Sequence, residues 1–173
     1  MADRLQHKDF KKLPKGTYAF DNAWGRKQPV KTSVGTFQVE FMMLNDKNPP
    51  DDTMLSLVDE LVEYVETHSK YIRDVIYGSY RYYVTEEVPI SGESCGVPAD
   101  LKPEQIWKHC NPVLVVERNP TDGLPGPPYE CRIIVYPKWE PEHNLSLEFR
   151  DGAIVTVNQV PFRIVKGILR YEI

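Results

Sequence analysis

The chain has 173 residues, 41% of them hydrophobic and 27% charged, and a net charge of −4. That length suits one domain able to bury a core without staples. The acidic balance speaks against nucleic acid as the main partner, because phosphate binding needs a basic face.

Three cysteines, Cys95, Cys110 and Cys131, are too few and too scattered for a disulfide framework. They read as reduced thiols of a cytoplasmic protein. No apolar run approaches the roughly 18 residues of a membrane span, so no membrane is expected. The first sixteen residues carry lysines but no apolar stretch, so no secretory leader is expected there.

Residues 1–16 are charged and aperiodic, which reads as a flexible arm ahead of one α+β domain over 17–173. Residues 17–20 have the composition of a short strand, and residues 21–31 read as a loop around Gly25 and Pro29. Along 34–44 the pattern has period two: Phe37, Val39 and Phe41 face one way, Thr36, Gln38 and Glu40 the other. That is a half-buried strand.

Residues 53–84 are helical in pattern. Met54, Val58, Leu61 and Val65 form one stripe, and Ile72, Ile76, Tyr80 and Tyr83 continue it. Asp51, Asp52 or Thr53 can cap the start. A break near His68-Ser69 is expected, with Ser69 as the second cap. Gly78 weakens the second run by roughly 1 kcal/mol relative to alanine, which suits a place where another element comes close. Tyr77 and Tyr82 lie at the margin of that stripe and are candidate binding residues.

Residues 86–102 read as a loop, followed by a short helix over 103–108 that starts at Pro103. Its end places His109 beside Cys110, a weak metal signal in the absence of any C-x-x-C or H-x-x-x-H spacing. The runs 113–118 and 129–136 read as strands joined by a ten-residue turn rich in Pro and Gly. Leu145, Leu147 and Phe149 alternate with Ser146, Glu148 and Arg150, and Asp151-Gly152 is a strong hairpin signal into a return strand. Residues 160–173 read as a closing strand interrupted by Gly167. The whole suggests an antiparallel sheet of five or six strands with a helical pair on one face.

The densest chemistry lies in the corner Trp139-Glu140-Pro141-Glu142-His143-Asn144. Trp139 and Glu140 are candidate binding residues. Glu142 and His143 are candidate catalytic residues, since a turn can bring a carboxylate and an imidazole together. His143 and His109 are the candidate metal ligands. A structural reading stands beside these: Trp139 plugs the core, while Glu142 and His143 satisfy backbone groups of the corner.

WEPEHNLSLEFRDG resembles the W-x-x-E-H-G-L…D-G signature of an uncharacterised bacterial domain family of unknown function. The helix ending in IRDVIYGSYRYY is similar to the one that precedes the strands in that family. The likeness spans about residues 53–159, with Asn144 standing where the signature has Gly. Some members resemble immunity proteins paired with toxins. The resemblance carries no activity and no cofactor. The reading is an intracellular interaction protein of immunity or accessory type with a protein partner. The alternative is a metal-binding or hydrolase-like protein using Glu142 and His143.

Overall fold

The alternating run predicted at 34–44 is the strand β4, Gly35–Met43, and it lies near the middle of a sheet of eight strands. The structure, a computed structural model, describes residues 6–14, 23–43, 48–87, 96–118 and 129–172. The first strands are β1 (Phe10–Lys12), β2 (Ala23–Arg26) and β3 (Val30–Thr32). Those after the helices are β5 (Cys110–Arg118), β6 (Tyr129–Pro137), β7 (Leu145–Arg150) and β8 (Ala153–Val157). The order is β1-β2-β4-β5-β6-β7-β8, with β3 also on β4.

Two expectations are corrected here. The sheet is mixed and larger than five or six antiparallel strands, because β4 and β5 run parallel, with Gln38 opposite Val113 and Met43 opposite Arg118. The long helical connection between them returns the chain to the starting end of the sheet, which is what a parallel pair requires. The stretches read as arm and loop also contribute strands. Phe10 is buried and pairs with Arg26, and β2 and β3 share the outer edge of β4. The strand expected at 17–20, the turn at 119–128 and Cys95 lie outside the described residues.

Two helices follow β4. Helix α1 spans Asp52–Thr67, and Asp51 caps it by accepting from Met54 N at 2.9 Å. Helix α2 spans Ser69–Tyr82. The break falls at His68, with φ −118° and ψ 22°. His68, not Ser69, takes the cap position, and its side chain makes no capping bond. The imidazole stacks instead on Tyr64, 4.2 Å between ring centres. A 3-10 helix, Pro103–His109, leads into β5.

The helices cover one face of the sheet. Met54, Val58, Leu61, Val65, Ile72 and Ile76 join Phe37, Val39, Phe41, Leu114, Ile133 and Leu147 in one cluster, all at most 1% exposed. Burial of apolar area is the main driving force here, roughly 1.5–3 kcal/mol for each such side chain. The opposite face carries a small apolar group, Met42, Val113, Val115 and Ile134, set among charged residues.

The segment read as a single closing strand is two strands, β9 (Phe162–Val165) and β10 (Ile168–Tyr171). They pair only with each other among the described residues. Gly167, with φ 76°, is the turn of that hairpin. No helix among the described residues is long and apolar enough to cross a membrane.

Candidate functional site

Alternation along β6 and β7 sends one set of side chains into the core and the other onto the sheet's second face. Ile133, Val135, Leu145 and Leu147 go inward, while Arg132, Ile134, Ser146 and Glu148 go outward. The corner between the two strands stands at one end of that second face. A groove of about 540 Å3 runs there, walled by Glu140, Glu142 and His143 from the corner and by Arg132, Ser146 and Glu148 from the strands.

Across strands the register puts Val115, Arg132, Glu148 and Thr156 in one row. Arg132 turns away from its direct neighbour Glu148. Its guanidinium donates to Glu117 and, at 3.0 Å, to Glu130. Glu117 is only 5% exposed. Burial pushes its carboxyl up from the ordinary value, Arg132 opposes that, and Glu130 adds to it. Glu148 accepts from Ser146 Oγ at 2.9 Å, from Thr156 Oγ1 at 2.5 Å and from the Gln159 backbone at 3.1 Å. These are neutral donors, so the carboxylate is fixed in place without being neutralised by them. Asn158 closes the groove by accepting from Ser146 N at 2.7 Å.

The corner divides its residues between core and surface. Trp139 is fully buried and meets the edge of Tyr80 at 5.6 Å, so it presents nothing to a partner. His143 is largely exposed, and its Nδ1 lies 3.3 Å from Glu140 Oε1, not beside Glu142. The His143 backbone N–H donates to the Glu140 carbonyl at 3.2 Å, which closes the turn. Glu142 is exposed on the groove wall.

The remaining candidates lie elsewhere. Tyr77 is half-buried and donates to the Leu101 carbonyl at 3.0 Å. Its neighbour Tyr80 holds the same segment through Pro98 and Leu101, which orders the approach to the 3-10 helix. Tyr82 is half-buried under the Arg170 guanidinium, 5.8 Å from its ring centre. His109 ends the 3-10 helix, and its carbonyl accepts from Lys138 N at 2.9 Å. It does not join His143 in a donor set. Among the described residues no group of three or more His, Cys, Asp or Glu is placed to hold a metal.

Sequence reasoning about the corner missed Arg132, Glu148 and Glu117. The first two carried a signal, since both stand at polar positions of an alternating or half-alternating strand. Glu117 carried none, because it follows an apolar run and reads as the strand's end.

The family model for a domain of unknown function (DUF6985) matches residues 14–161. The chain is a member of the DUF6985 family. That span takes in β2 through β8, both helices and every wall of the groove, and it stops short of β9. No curated protein and no solved structure matches this DUF6985 chain.

Proposed function

We propose that this protein is a non-enzymatic intracellular interaction protein, of immunity or accessory type, whose second sheet face receives a basic protein partner. The observation that supports this is the charge arrangement of the groove. Glu140, Glu142 and Glu148 line it, while Arg132, the one guanidinium on it among the described residues, is already engaged by Glu117 and Glu130. A surface of this sign speeds encounter with a cationic partner and makes the rate fall as salt rises. The overall charge of −4 acts in the same direction.

The test uses the purified products of the genes beside this one. Stopped-flow association would be measured at 50 and 300 mM salt, with native protein and with Glu142→Lys. A partner of the proposed kind binds about tenfold more slowly at the higher salt and more slowly still to the variant. Binding indifferent to both salt and Glu142→Lys removes the electrostatic reading, and no binding by any neighbour removes the immunity reading.

One observation favours the alternative, a metal-binding or hydrolase-like protein: the Glu140–His143 pair sits on the groove wall. Zinc titration of native protein against His143→Ala separates the two. Tight binding lost in the variant would favour the metal site.

A further inference from the structure

The β9–β10 ribbon differs from the rest of the fold in how it is held. Among the described residues its strands exchange ladder bonds only with one another, from Phe162 opposite Tyr171 to Val165 opposite Ile168. The turn between them, Lys166-Gly167, has φ of 52° and 76° at the two positions, as tight hairpins with right-handed strand twist require. A lone two-stranded ribbon is at best marginal in water. Its order therefore comes from what it rests on, and that is α2.

The contact is made chiefly by β10 and is apolar at its centre. Leu169 is the one ribbon residue that is fully buried, at 2% exposure, with Ile164 packed beside it. Both meet α2 at Gly78, where a Cβ would stand 2.9 Å from Ile164 Cδ1 and 3.0 Å from the Leu169 backbone nitrogen. The ribbon's backbone thus lies directly on the helix. Polar ties complete the attachment. Arg170 pairs with Glu86 at 2.8 Å in the turn after α2, and its guanidinium covers Tyr82. Tyr171 accepts from Asn158 Nδ2 at 3.1 Å, and Glu172 N donates to the Pro161 carbonyl at 2.7 Å. Arg170 and Glu86 are 39% and 42% exposed, so their pairing is a surface one and individually weak.

The sheet, by contrast, closes without the ribbon. The last strand, β8, is finished by its own devices. Its bulge opposite Glu148 and Phe149 leaves Val155 as the extra residue, Ile154 N reaches Tyr64 Oη at 3.4 Å, and Val157 bridges back to Val160. The family span likewise ends at residue 161, one residue before β9.

We infer that the β9–β10 ribbon is a strap that lifts off α2 as one unit while the eight-stranded sheet stays folded, uncovering the helix face around Gly78 and Tyr82. Cooperative openings of this sort follow the distribution of buried contacts, and here one fully buried residue, Leu169, is joined by only two partly buried ones, Phe162 and Ile164. The joint is the segment Asn158–Pro161, where Asn158 and Gln159 already adopt positive φ of 52° and 64°.

Native-state hydrogen exchange read by mass spectrometry on the full chain tests this, with Arg170→Ala as the variant. Peptides covering 162–171 are expected to exchange at least tenfold faster than those covering β5 and β6, in one correlated step. Arg170→Ala is expected to speed the ribbon about threefold and to leave β5 and β6 unchanged. Gly78→Ala, which pushes on Leu169 from the helix side, is expected to do the same. Ribbon amides that exchange only in step with β5 and β6 would overturn the inference, as would variants that speed ribbon and sheet equally.

Discussion

Arg132 reaches diagonally from β6 to Glu117 on β5, and Glu117 is the only charged residue of the described core that is buried. The pair shapes the electrostatics of the second sheet face, because it draws the guanidinium toward β5 and leaves Glu148, its direct neighbour on β7, to neutral donors.

Arg132→Met strands the Glu117 carboxylate in the sheet. Removing one partner of a buried pair costs about 3–5 kcal/mol, and urea unfolding at pH 8 should show a loss of that size. The sign with pH follows from the raised pKa of Glu117. The native state holds that proton more tightly than the unfolded chain does. The stabilisation is complete below the ordinary carboxylate value and is lost as pH rises through the raised one. The variant should therefore be less impaired at pH 5 than at pH 8, and adding Glu117→Gln should flatten the difference. An equal loss at both pH values would contradict the buried-charge account.

Within the corner, core and surface roles should separate cleanly. Trp139→Ala empties a fully buried site and should cost about 3–5 kcal/mol. His143→Ala and Glu142→Ala, both exposed, should stay within about 0.5 kcal/mol of native in the same thermal or urea measurement. A large loss from His143→Ala would mean that the imidazole closes the corner structurally.

Asp51 serves three groups at once. It caps α1 through Met54 N, accepts from Tyr129 Oη at 3.0 Å and lies 3.6 Å from Arg118. Asp51→Ala should lower stability by about 2 kcal/mol, the upper end for a lost cap. Asp51→Asn keeps a capping oxygen and should recover at least half of that in circular-dichroism melts. Equal losses from both would show that charge, not capping, dominates there.

The thiols of Cys110 and Cys131 are buried, and burial pushes them up to about 12 and about 11. Thiolate is the reactive form, so neither should react with a disulfide reagent at pH 8 while the protein is native. In a Cys95→Ser background, labelling should appear only at the rate of unfolding. Fast native labelling would place one of these thiols at the surface.

Much of the local structure was legible beforehand. The alternations at Phe37–Phe41 and Leu145–Phe149 marked strands and their inner faces, and Asp151-Gly152 marked the turn, where φ is 51° and 77°. The helical stripe through Met54 and Ile76 and its break near His68 were equally plain. The groove was half legible. Its corner residues stood out by type, whereas Arg132 and Glu148 looked like ordinary solvent-facing positions until register placed them in one row.

What the sequence determined by itself was therefore which residues of the strongly periodic stretches turn inward and roughly where those stretches break, because periodicity, caps and turn residues act over a few neighbours. Tertiary structure alone decided who pairs with whom. The parallel join of β4 to β5, the strand made by Phe10–Lys12 and the separate ribbon on Gly78 all depend on contacts distant in sequence. So does the turn of Arg132 toward Glu117. A period of two tells a side chain which face to take, but it carries no information about the strand on either side.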